Sequence, residues 1–172
     1  MYTKTNRTIG IVLAVLGALF IVVGGTAWGI TTSQLKSQNM TVPADSPMMA
    51  GKSVGGPFTA YAMQNIINIH SMNQSEAASG VEGGATYAEL GALSNAAREA
   101  GDTEKADKLT QVRTTVMNGQ LLRGSIFTSI LAYGVSLFAI GVGFALILIG
   151  VAVKGKKPEE AVVVNEGVVV TE

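Results

Sequence analysis

The chain has no cysteine. Disulfides, thiolate nucleophiles, iron–sulfur clusters and cysteine-held zinc are thereby excluded. An exported segment would have to rely on its own core or on a partner. Histidine is nearly absent as well, with His70 standing alone. Aromatic residues make up 6% of the 172 residues and the formal charge is zero, so no basic field exists to attract nucleic acid. Charge is missing altogether from two long stretches, residues 9–30 and 126–153.

Ala, Val, Ile, Leu and Gly fill those stretches. Each is longer than the roughly 20 residues that cross a hydrocarbon core about 30 Å thick, which predicts a two-pass protein of the plasma membrane. Lys4 and Arg7 precede the first stretch, and Lys154, Lys156 and Lys157 follow the second. Cations stay on the cytoplasmic side, which puts both termini in the cytoplasm; Lys36 and Arg123 on the opposite flank are a smaller opposing signal. The expected division is a cytoplasmic N-terminus (1–8), a transmembrane helix (9–30), an extracytoplasmic helical domain (31–124), a second transmembrane helix (125–153) and a disordered cytoplasmic tail (154–172). The tail carries valine runs at 162–164 and 168–170. A signal peptide cut near Gly25-Thr26-Ala27 competes for the first stretch. Its apolar run exceeds the ~7–15 residues of a signal h-region, which favours an uncleaved anchor.

Small residues recur in both stretches: Gly10, Ala14, Gly17 and Gly24 in the first, and Ser129, Ala132, Ser136, Ala139, Gly143 and Gly150 in the second. Steps of three, four and seven keep one stripe of a helix small. In lipid, such stripes let backbones approach closely. They predict a helix–helix interface, either between the two spans or with another protein.

The fold class expected is mainly α: a two-helix transmembrane hairpin with a small helical domain outside, and a short β-hairpin near 41–54. The first helix should continue through 33–39. Asp45-Ser46-Pro47 reads as the cap of a single helical turn ending at Gly51. Gly55-Gly56-Pro57 opens a helix over 58–73 whose apolar face is Phe58, Tyr61, Ala62, Ile66, Ile69 and Met72. Residues 74–84 read as a loop. Thr86 and Glu89 have capping-box spacing for a helix carrying Leu90, Leu93 and Ala97 and ending at Gly101. Asp102 or Thr103 caps the next, which carries Leu109, Val112 and Val116 and runs, kinked near Gly119 or Gly124, into the second span. Phe58, Tyr61 and Tyr87 are the only aromatics of 31–124. Such a thin core predicts that the outer domain rests on the membrane surface, a second copy or a larger complex.

Little in the chain points to chemistry. His70 reads as a surface or hydrogen-bonded histidine rather than a base or ligand, because a metal site needs several fixed ligands and Glu76 and Glu82 lie on the expected loop. Glu99, Asp102, Glu104 and Asp107 alternate with Arg98, Lys105 and Lys108, the pattern of a solvated face rather than a paired-acid cleft. Gly51-Lys52-Ser53 lacks the glycine five residues earlier that a phosphate loop requires, since Ser46 stands there. Ser53 and Ser125 have no nucleophile-elbow context. Thr128, Ser129, Tyr133 and Ser136 are the polar groups of the outer half of the second span. They can bond across helices or to a lipid or quinone head group, and helix packing is the simpler account.

Gly56-Pro57-Phe58-Thr59-Ala60-Tyr61-Ala62, His70, Gly83-Gly84-Ala85-Thr86-Tyr87-Ala88-Glu89-Leu90 and Leu122-Arg123-Gly124-Ser125-Ile126-Phe127-Thr128-Ser129 together resemble a group of actinobacterial two-pass membrane proteins. The resemblance covers residues 50–140, in the same order. Residues 91–117 depart from the shorter acidic, proline-containing link of that group. Its members are often labelled aromatic ring-opening dioxygenase, but ring opening by non-haem iron would use two histidines and a carboxylate, and one histidine is present. Small proteins of this shape in actinobacteria include accessory subunits of the cytochrome bc–cytochrome oxidase supercomplex, so the resemblance implies an accessory role.

The function expected is thus a non-catalytic accessory or scaffold subunit with no cofactor. It would bind the lipid bilayer and a membrane complex, a respiratory one being what the resemblance implies, through its small-residue faces and outer domain. A small self-associating channel is the alternative. No charged or strongly polar ring suits either helix to line a pore.

Overall fold

The computed structural model describes residues 2–155; Lys156, Lys157 and the valine runs lie outside them. Among the described residues there are four helices: α1 (Tyr2–Ser37), α2 (Pro57–Ser79), α3 (Tyr87–Glu99) and α4 (Thr103–Gly155). α1 and α4 are long and apolar enough to cross a membrane. In the most apolar window of each, 17% is buried within the chain, whereas the core helix of a water-soluble protein is covered on most sides.

Local signals explain where the helices start and stop. α1 runs past its charge-free stretch to Ser37 and stops before Asn39, which is in the left-handed region (φ 50°). At the start of α2, Pro57 occupies the first turn, and Thr59 Oγ1 accepts from the Gly55 and Gly56 N–H groups (both 3.1 Å). α3 begins with a complete capping box: Glu89 N–H donates to Thr86 Oγ1 (3.3 Å), and Thr86 N–H donates to Glu89 Oε2 (2.8 Å). Gly101 (φ 81°) separates α3 from α4, whose free Lys105 N–H is taken by Asp102 Oδ1 (3.0 Å). α4 is unbroken through Gly119 and Gly124.

Three expectations are corrected. The loop at 74–84 is largely helix, since α2 continues to Ser79 and closes on Gly80 (φ 73°), whose N–H donates to Glu76 O (2.8 Å). Ala77, Ala78 and Glu76 are good helix formers, and Ser75, fully buried, sends its hydroxyl to Ala85 O (2.6 Å). The β-hairpin near 41–54 reduces to a single antiparallel bridge, Thr41 with Ser53, and no strand occurs among the described residues. Pro43 stands two residues after Thr41 and has no N–H with which to extend a ladder. The helical turn expected between Asp45 and Gly51 is instead a turn around buried Ser46, whose Oγ donates to Met48 O (2.8 Å) and accepts from Met48 N–H (3.3 Å).

Two compact units divide the described chain: α1 up to Val23 with α4 from Ala139, and Gly24–Phe138. The second holds two apolar clusters. Leu35, Val42, Val54, Ala60, Ala62, Ile126 and Tyr133 form one, around the end of α1, the bridged loop and the start of α2. Leu90, Leu109 and Val116, with buried alanines, form the other between α3 and α4. Fully burying a leucine such as Leu90 stabilises by about 1.5–3 kcal/mol relative to exposure. α2 packs on α4 where glycine makes room for a serine: a Cβ on Gly119 would overlap Ser71 Oγ.

Candidate functional site

The unit built from α1 up to Val23 and α4 from Ala139 is organised by glycine. Gly10, Gly17, Gly143 and Gly150 are buried, with Ala14 and Ala139 partly covered. A Cβ added to Gly143 would stand 2.5 Å from Gly17 O, and one added to Gly150 would stand 2.6 Å from Gly10 O. The reciprocal additions meet Gly143 O from Gly17 and Gly150 O from Gly10. The contacts are seven residues apart on each helix and run in opposite directions, so these segments are antiparallel and touch backbone to backbone. Such proximity is open only to glycine and supports close dispersion and Cα–H···O contacts. Large apolar side chains such as Leu19, Phe20, Phe144 and Leu148 point away and are exposed.

In the unit Gly24–Phe138, the remaining small residues share a buried or half-buried side: Gly24 and Ser136 are buried, Ser129 and Ala132 half-buried. Ser136 and Thr128 return their hydroxyls to their own helix, at Ala132 O (2.7 Å) and Gly124 O (3.0 Å). Tyr133 does bond across helices. It is 2% exposed, pairs with Thr32 Oγ1 (2.9 Å), donates to Gly55 O (3.4 Å) and meets the Trp28 ring edge-on with centroids 4.6 Å apart. One phenol thus ties α1, α4 and the chain entering α2.

No protein-family model, curated protein or solved structure matches this chain. Its chemistry is therefore read from its own side chains. His70 Nε2 lies 2.6 Å from Asp45 Oδ2, both partly exposed. The hydrogen bond from His70 holds the Asp45 carboxyl below the ordinary carboxylate range. Glu76 accepts from Gly83 N–H (3.2 Å). Asp102 is a helix cap and Asp107 pairs loosely with Arg98 (3.5 Å). Among the described residues no three histidine or acidic side chains gather as metal ligands.

The expected outer aromatics lie apart from the buried clusters. Phe58 is 73% exposed, Tyr61 47% and Tyr87 42%, which removes Phe58 and Tyr61 from the apolar face expected for α2; Ala62 and Ile66 of that face are buried, together with Ala60, Ser71 and Ser75. Tyr87 carries the Arg113 guanidinium over its ring (3.9 Å to the centroid), and Arg113 Nε donates to Tyr87 O (3.1 Å). Gly91 leaves room for that guanidinium, since a Cβ there would stand 3.1 Å from it. Sequence reasoning missed Arg113, whose only signal was a cation on the expected helix facing no acid. Arg123 Nη1 donates to Gln120 Oε1 (2.9 Å), while its Nε is buried without a hydrogen-bond partner.

Proposed function

We propose that the chain is a non-catalytic integral membrane accessory or scaffold subunit. α1 and α4 form a transmembrane hairpin with both termini in the cytoplasm, and the helical part between them stands outside, against a larger membrane complex. The resemblance to actinobacterial two-pass proteins makes a respiratory complex the first candidate. Its main support is the mutual use of the glycine faces. Gly10, Gly17, Gly143 and Gly150 are consumed within one chain, so the small face is not free to line a pore, and this favours a subunit over a small homo-oligomeric channel. The closed pair presents large apolar side chains to lipid or to a partner's helices, and Tyr87 with Arg113 offers an aromatic-cationic contact outside. Aromatic residues and arginine are the side chains most often dominant in protein interfaces. Affinity purification of the tagged chain from its native membranes in a mild detergent tests the proposal. Recovery together with a fixed set of other membrane proteins is expected. Recovery as a self-assembled ring that conducts under membrane tension would favour the channel.

A further inference from the structure

We infer that the first turns of α2 lie in the outer head-group layer of the bilayer, with Phe58 and Tyr61 seated among lipids. The inference rests on the transmembrane course proposed for α4. The charge-free run 126–153 holds 28 residues, about 42 Å of helix at 1.5 Å per residue, against a hydrocarbon core of about 30 Å. About 12 Å of that helix, some eight residues, therefore stands outside the core. Lys154 pins the other end at the last apolar residue, so the excess lies at 126–133, where Thr128, Ser129 and Tyr133 cluster.

The start of α2 is fastened at that depth. Tyr133 donates to Gly55 O (3.4 Å), and the Lys36 side chain packs so closely on Gly55 that an added Cβ would stand 2.8 Å from its Cε. The other end of α2 touches α4 at Ser71 and Gly119. From Gly119 to Tyr133 is 14 residues, as is Ser71 to Pro57, so both helices descend about 21 Å side by side. α2 therefore begins level with the apolar run, not above it.

Phe58 and Tyr61 stand three residues apart on one helical face and are exposed. Aromatic side chains at that depth favour the membrane interface. Lys36 shares a groove with Phe58, placing an ammonium where head-group phosphates would lie. The helix end also suits a poorly hydrated layer: Pro57 has no N–H, and Thr59 takes the N–H groups of Gly55 and Gly56.

The test places the full chain in phosphatidylcholine–phosphatidylglycerol vesicles with lipids carrying a quencher at the head group or deep in the acyl chain. Single-tryptophan variants F58W, Y87W and F144W are made in a W28F background. F58W should lose fluorescence to the head-group quencher, Y87W should keep it, and F144W should lose it to the deep quencher. If F144W responds and F58W does no more than Y87W, the lipid seat is wrong while the transmembrane course stands, and a protein partner becomes the occupant to seek. If F144W fails to respond, the transmembrane course itself is overturned, and this inference with it. A fluorophore on F58C, in a chain otherwise free of cysteine and retaining Trp28, repeats the reading should W28F disturb the Tyr133 contact.

Discussion

Replacing Gly143 by alanine puts a methyl carbon 2.5 Å from Gly17 O, 2.7 Å from Ile21 Cγ1 and 3.0 Å from Ile21 N. Ordinary contact begins near 3.4 Å, so the helices must part by about 0.9 Å, the difference between 3.4 and 2.5 Å. A backbone carbonyl inside a helix cannot swing aside as a side-chain tip can. A gap of about 0.5–1 Å forfeits roughly a quarter to a half of the attraction at each affected contact, and overpacking of this kind costs about 1–3 kcal/mol. Alanine also gains about 1 kcal/mol of helix propensity over glycine, which would mask part of the loss. G141A provides the control, because a Cβ on Gly141 meets nothing within 4 Å. The propensity gain is common to both variants, so their difference isolates the packing: G143A should be less stable than G141A by about 1–3 kcal/mol. Spin labels on cysteines at Leu16 and Phe144, both exposed positions, would follow separation of the segments as SDS is added to mixed micelles. Coincident separation curves for G143A and G141A would refute the claim that glycine contact holds α1 to α4. G17A should act like G143A, and the double variant should cost less than the sum, because both methyls enter one contact.

Other consequences are open to measurement. T86A should destabilise by about 0.5–2 kcal/mol through loss of the α3 cap, read by thermal unfolding, and T86S should restore most of it. The Thr86 backbone N–H, with its hydroxyl second, holds the Glu89 carboxyl below its ordinary value. The box therefore contributes fully above the usual carboxylate value of ~4.3 and is lost as pH falls through Glu89's lowered value; protection of the Thr86 amide from exchange should fall over that acidic range and not near neutrality. Y133F removes the hydroxyl shared by Thr32 and Gly55 and should cost about 0.5–1.5 kcal/mol per bond lost. A double-mutant cycle with T32A should show coupling, and additive effects would mean that the pair contributes nothing.

The helices that sequence pattern could find were those governed by local chemistry. Thr86 with Glu89, Asp102 and Gly101 act within one turn of their own position, so spacing alone located the limits of α3 and the start of α4. The charge-free runs fall on the two long apolar helices for a similar reason, since nothing but length and apolarity is required. Side-chain burial in α2 was legible only in part. Periodicity correctly turns Ala62 and Ile66 inward, yet small residues make α2's closest approaches, Ser71 to Gly119 of α4 and Ser75 to Ala85 ahead of α3, and Phe58 and Tyr61 are left outside. Which helix the glycine stripes face depends on contacts more than a hundred residues apart in the chain, as Gly17 with Gly143, and no local spacing carries that. The partnership of Asp45 with His70 is hidden likewise, since 25 residues separate them and the Asp45-Ser46-Pro47 pattern signals only a local turn, which closes on Ser46.

The central claim is the proposal that this chain serves a larger membrane assembly, and the native mass and stoichiometry of the particle extracted intact from its own membranes test it most directly. The account predicts a hetero-oligomer containing this chain in fixed ratio to different membrane polypeptides. A particle made of this chain alone, or the chain running free, would contradict it.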